Sequence, residues 1–175
     1  MVNSKCITNN EERKFLLKIF GYKELVTTLL FRGSDHGWTA KAFHLKCDLK
    51  SSLICLYKLK RGDCIGGFTS SHWDSTTKPV DDRDAMLFNL TSCRHFPSQK
   101  YGNEIRCSRE IGPTFGNDEL GAYFEPFNGD SSCSSFANRN SFNIPVEEGK
   151  NMLTNRENGD FTISELEVWQ VEFIL

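Results

Sequence analysis

The stretch LLFRGSDHGWTAKAFHLKC, Leu29 to Cys47, passes from an apolar strand through a polar turn into a short amphipathic helix. Val26 to Arg32 has the composition of a strand, and Gly33, Ser34 and Gly37 permit a turn after it. Thr39 is a good N-cap for a helix running through Lys46. Within that helix Ala40, Phe43 and Cys47 recur at i, i+3, i+7, the spacing of one buried face, with His44 beside it. A strand, a loop and a helix folded back alongside are thus committed within one stretch, and no catalytic signature sits among them.

Downstream the periodicity changes to β. Leu53, Cys55, Tyr57 and Leu59 alternate on one side while Ile54 and Leu56 make the other side apolar too, which predicts a central strand covered on both faces. Arg61-Gly62-Asp63 turns the chain into a second strand, Cys64 to Ser70. There Gly66 and Gly67 imply a bulge or the close approach of another backbone. Further strands are expected at Ala85 to Leu90, Glu104 to Cys107 and Leu120 to Glu125. Gly112 to Gly116 reads as a rigid loop around Phe115. Ser71 to Arg83 reads as an exposed polar loop whose Trp73 folds back for cover. Phe127 to Gly149, rich in Ser, Asn and Gly and anchored by Phe136 and Phe142, reads as the most mobile segment. In Ile163 to Phe173, Leu166 and Val168 point one way while Trp169, Val171 and Phe173 hold the opposite parity. That slip predicts either a β-bulge or burial of both faces.

Upstream, residues 1–9 read as a flexible tail and residues 10–175 as one domain. Thr8 or Asn10 can cap a helix whose first turn holds Glu11 and Glu12 and whose stripe is Phe15, Leu16, Ile19 and Phe20. Gly21 stops it. Two helices followed by antiparallel strands predict an α+β domain, a two-layer β-sandwich with a few short flanking helices.

At 175 residues the chain can bury one sizeable core, and its 14 Phe and 3 Trp supply the aromatics to fill it. The net charge of −2 arises from 21 basic and 23 acidic residues mixed along the chain, which argues against a nucleic-acid or anionic-membrane surface. No run approaches the roughly 18 apolar residues of a spanning helix. The polar N-terminus lacks a signal core, so a cytoplasmic location with Asn89-Leu90-Thr91 unglycosylated is expected. The seven cysteines form no C-x-x-C pair and are expected as reduced thiols.

Candidate chemistry is sparse. His44 and Cys47 share one helix, but two ligands are too few for zinc. Ser34, Asp35 and His36 are adjacent and cannot fold onto one another as a triad does. Cys64 or Cys93 with His72 or His95 would need an electropositive, partly exposed setting to be reactive. Neither Gly33/Gly37 nor Gly112/Gly116 continues into a phosphate-binding loop. Catalytic residues, cofactors and metals are therefore all expected to be none. For binding a protein partner the candidates are Trp38 and Trp73, in polar loops, and Glu165, Glu167 and Glu172. The three glutamates read as an acidic stripe on the last strand that could receive a basic partner.

LLFRGSDHGWTAKAFHLKCD resembles the opening of the TLDc domain family, and four later segments follow in family order: GGFTSSHWDS from Gly66, DAMLFNL from Asp84, GPTFGNDEL from Gly112 and ISELEVWQVEF from Ile163. The resemblance implies a β-sandwich with a few short helices, a link to oxidative-stress resistance, and binding to the V1 part of the V-type ATPase. It implies no established catalytic residues. The expected function is a non-enzymatic protein-binding module. A structural adaptor in a large assembly, such as a cytoskeletal one, and a thiol-dependent antioxidant enzyme are the alternatives.

Overall fold

The computed structural model describes residues 1, 3–21, 24–117, 119–124, 131–133 (backbone), 141–145 and 161–174. In chain order the elements are α1 (Asn10–Ile19), β1 (Leu25–Arg32), α2 (Gly33–His36), α3 (Ala40–Cys47), β2 (Leu53–Leu59), β3 (Cys64–Thr69), β4 (Pro79–Val80), β5 (Met86–Asn89), β6 (Arg94–Pro97), β7 (Ile105–Arg106), β8 (Thr114–Phe115), β9 (Leu120–Gly121), β10 (Ser131–Cys133) and β11 (Phe161–Phe173). The strands form two antiparallel sheets, one ordered β1-β11-β2-β3-β5-β6 with β10 also on β11, the other β4-β7-β8-β9. Neither closes into a barrel, and the two sheets with their few short helices are the expected α+β sandwich.

β11 lies between β1 and β2, so the first and last strands are neighbours. The larger sheet is covered on both faces. Leu53, Cys55, Tyr57, Leu166 and Val168 face the smaller sheet and pack with Ile105, Phe115 and Leu120. Ile54, Leu56, Trp169 and Val171 face the other way, onto Cys6, Ile7 and Leu16. The parity slip in β11 therefore reflects burial of both faces. An irregularity also falls opposite it, in β1 between Leu29 and Phe31, whose partners are Trp169 and Val168. A second shift lies between Ile163 and Glu165.

Gly66 and Gly67 sit in an unbroken register with β2, so no bulge is present. They are required by close approach instead. A Cβ on Gly66 would collide with the Cys55 carbonyl oxygen, and one on Gly67 would stand 2.7 Å from the Phe115 ring. Phe115, the anchor expected in the Gly112–Gly116 loop, is fully buried and meets Trp73 edge to face at 5.6 Å.

Several expectations are corrected. Residues 1–9 are not a free tail, because Cys6 and Ile7 enter the core beneath α1. A largely polar segment is held there by two apolar side chains and by the polar contacts described below. The α1 cap is Asn9, neither Thr8 nor Asn10. Its side chain accepts the Glu12 amide at 2.9 Å while the Glu12 carboxylate accepts the Thr8 amide at 3.0 Å. The loop from Ser71 to Arg83 buries Trp73 completely and contributes β4. β6 was not expected, since Arg-His-Phe-Pro lacks strand alternation and contains Pro97. The mobility expected of Phe127 to Gly149 falls largely outside the described residues, although Phe142 is the buried anchor foreseen. Among the described residues no helix is long and apolar enough to cross a membrane.

Candidate functional site

The most concentrated polar chemistry lies where β1 passes into α2 and meets β11. Arg32 and Glu167 are register partners on adjacent strands, and β-alternation turns both toward the α1 side of the sheet. Arg32 Nε donates to Glu167 Oε1 at 2.8 Å, Nη1 to Asp35 Oδ2 at 2.9 Å, and Nη2 to the Asn3 carbonyl at 2.8 Å. Glu167 is fully buried and accepts three further bonds, from Ser4 Oγ at 2.6 Å, the Lys5 amide at 2.8 Å and the Trp169 indole at 3.0 Å. Two residues along the strand, Glu165 accepts the Ser34 hydroxyl at 2.5 Å and the Ser34 and Leu166 amides, each at 3.1 Å. Lys5 closes the ring through Ser34 Oγ at 2.7 Å and Asp35 Oδ1 at 3.0 Å. The Arg32 guanidinium, and after it the Lys5 ammonium, hold the Asp35 carboxyl down to about 2.

This cluster fastens residues 3–5 and the α2 turn to the last strand. Both buried carboxylates have their oxygens occupied by donors, as a buried charge requires. Glu165 and Glu167 thus do not form the exposed stripe expected of them, and of the three glutamates only Glu172 is exposed. The short spacing Glu-x-Glu on an otherwise apolar strand was the sequence signal. Its cationic partner lies 135 residues away, beyond the reach of local pattern.

Trp73 is likewise removed from the binding candidates, being wholly inside, with Phe43 and Phe115 edge-on at 5.6 Å each. Its indole nitrogen has no hydrogen-bond partner. Trp38 is half-buried, packed against the core with its ring over Gly33, where a Cβ would come within 2.6 Å.

His44 is held at both ends. Nδ1 lies 2.6 Å from Asp48 Oδ1, and Nε2 lies 2.9 Å from each of the Ser108 and Ile111 carbonyls. The Ser75 hydroxyl donates to the other Asp48 oxygen. Serine, aspartate and histidine do meet here, but the serine stands on the far side of the carboxylate and Nε2 is occupied. The order is wrong for nucleophile activation, which needs the hydroxyl on the imidazole. The arrangement ties α3 to the loop before β8.

Asp82 organises a second polar knot. It accepts Thr69 Oγ1 at 2.5 Å, Ser70 Oγ at 2.6 Å and the Ser70 amide at 2.8 Å, and its own amide donates to Glu104 at 3.0 Å. Glu119 accepts the Ser141, Phe142 and Asn117 amides, and burial raises its carboxyl above the ordinary range. Cys6, Cys47, Cys55 and Cys64 are buried, and burial pushes each thiol far up. Cys107 is pushed up to about 11. Cys93 is exposed, on the turn between β5 and β6. Among the described residues no three His, Cys, Asp or Glu side chains are grouped to hold a metal.

The fold and this clasp define a two-sheet antiparallel domain whose conspicuous polar residues bind one part of the chain to another. The TLDc domain model matches residues 1–172, and the chain belongs to that family. Comparison with curated proteins gave no match.

Proposed function

We propose that this chain is a non-enzymatic protein-binding module. The observation that carries the reading is the fate of its ionisable groups. Arg32, Glu165, Glu167, His44, Asp82 and Glu104 are all buried and engaged in internal hydrogen bonds, so the chemistry foreseeable for them is consumed in building a rigid scaffold. A scaffold of this kind presents its surface for recognition. The family resemblance makes the cytosolic V1 part of the V-type ATPase the first partner to test, with oxidative-stress resistance as the indirect outcome of that regulation.

Purified chain mixed with isolated V1 and passed over a sizing column should co-elute with it and change its ATP hydrolysis. Co-elution with tubulin or another scaffold, and none with V1, would favour the adaptor. Peroxide turnover by the chain alone, abolished by one Cys→Ser substitution, would establish a thiol enzyme and end the binding reading.

A further inference from the structure

The inward face of α3 carries Phe43, His44 and Cys47, while its outward face carries Lys41, Leu45 and Lys46 and runs on into Leu49 and Lys50. Leu45, on the last turn of the helix, is 81% exposed, and Leu49, two residues past its end with a left-handed backbone, is 74% exposed. Scattered exposed leucines need no explanation, but two within five residues, interleaved with Lys41, Lys46 and Lys50, are a different matter. None of the three lysines has an ion-pair partner among the described residues, whereas Lys14 on α1 pairs with Glu11 at 3.0 Å. Asp48, the one acid on this part of the chain, is taken up by His44 and Ser75. At the start of α3 the face continues into a groove of about 650 Å³ lined by Lys41, Arg109, Glu110, Ile111, Tyr123 and Phe124.

From this we infer that the outward face of α3 with its adjoining groove is the docking surface, and that it takes an acidic amphipathic helical segment of a partner protein. The two exposed leucines offer contacts for the apolar side chains of such a segment, and Lys41, Lys46, Lys50 and Arg109 supply cations for its carboxylates. A groove with a carboxylate, Glu110, in its wall is concave and of mixed charge. It suits a helix better than an anionic bilayer, which is flat and would also need more than two apolar side chains to hold it. The inference rests on the binding-module reading and names the chemistry of the partner.

The test uses fluorescein-labelled synthetic helices titrated with the full chain by anisotropy. One helix carries Leu at i and i+4 flanked by Glu, a second carries Lys in place of each Glu, and phosphatidylserine vesicles form a third arm. The acidic helix should bind at least about ten-fold tighter than the basic one and weaken with added salt. Both the K41E/K46E and L45S/L49S pairs should weaken it by about ten-fold or more, while Lys14→Glu on α1 leaves it unchanged. All five positions are exposed, so equal urea midpoints confirm that the variants fold. Equal affinity for the two helices, no effect of either pair, or binding to vesicles with none to the acidic helix would overturn the inference. If V1 bound wild type and K41E/K46E equally, this surface would fall while the module reading stood. If wild type selected the acidic helix and ignored V1, only the choice of V1 would fall.

Discussion

Replacing Glu167 by Gln keeps the size of a fully buried side chain and removes its charge, so it isolates what the clasp contributes. Four donors converge on the carboxylate, Ser4 Oγ and Trp169 Nε1 on one oxygen and the Lys5 amide and Arg32 Nε on the other. A carboxamide presents N–H groups to one of these pairs whichever way it turns. The serine hydroxyl can rotate away, but an indole, a backbone amide or a guanidinium cannot. Each buried donor left unmet costs about 1–3 kcal/mol, and breaking one partner of a buried ion pair about 3–5 kcal/mol in all. Against a domain stability of about 5–15 kcal/mol the variant would be folded but marginal. At about 2–4 °C per kcal/mol for a chain of this size, its melting temperature should fall by about 6–20 °C. Urea unfolding followed by tryptophan fluorescence reads the loss, and tryptic cleavage after Lys5 should quicken as residues 3–5 come free. Glu172→Gln, on the exposed end of the same strand, should stay within about 0.5 kcal/mol of wild type. A loss below about 1 kcal/mol for Glu167→Gln would refute the claim that this carboxylate holds the N-terminal segment in place.

Gly67→Ala should cost about 1–3 kcal/mol by driving a methyl into the Phe115 ring, and Phe115→Leu in the same chain should recover part of it. A denaturation midpoint for the single variant equal to wild type would exclude the contact. Because burial raises the folded-state pKa of Glu119, its neutral form is favoured by folding. The stability of wild type relative to Glu119→Gln should therefore be greatest in acid and fall as pH rises through and above the carboxyl range. Urea midpoints of the two proteins between about pH 4 and about pH 7 check the sign, and an opposite trend rejects it. Native alkylation mapped by mass spectrometry should modify Cys93 well ahead of Cys6, Cys47, Cys55, Cys64 and Cys107. A buried thiol reacting as fast would contradict their burial.

Apolar periodicity made the core legible. The double-faced pattern of β2, the parity slip of β11 and the Phe43/Cys47 face of α3 all have their structural counterparts, because burial leaves a repeat of two or of 3.6 in the chain itself. The polar cluster was not legible, for the same pattern rule that finds cores sends charged residues to the surface. Glu165 and Glu167 obey strand alternation, yet the side they point to is roofed by residues 3–7 and α1, and only the three-dimensional pairing of Glu167 with Arg32 and of Glu165 with Ser34 reveals it. Trp73 folds back for cover as expected, but its candidacy for a partner fails for a related reason. Its neighbours Ser71, His72 and Asp74 are polar, and a single tryptophan inserted between α3 and β8 leaves no periodic trace. The Asn9 cap shows a smaller failing, that Thr, Asn and Asn in succession all satisfy a capping rule and geometry alone chooses among them.

The position of β11 between β1 and β2 in the larger sheet sets the order in which that sheet can exist during synthesis. Among the described residues β1 pairs with β11 and with no other strand, and β2 finds one of its two neighbours there, so residues 25–59 leave the ribosome with backbone edges that β11 does not yet cover. Roughly 100 residues separate the end of β2 from the start of β11, about 5–20 s of translation. For that interval LVTTLLFR, an uncharged apolar run up to Arg32, is an open strand edge able to pair with any neighbouring chain. A short domain with a well-filled core therefore passes through a window in which β1 stays open to pairing elsewhere until the last strand arrives.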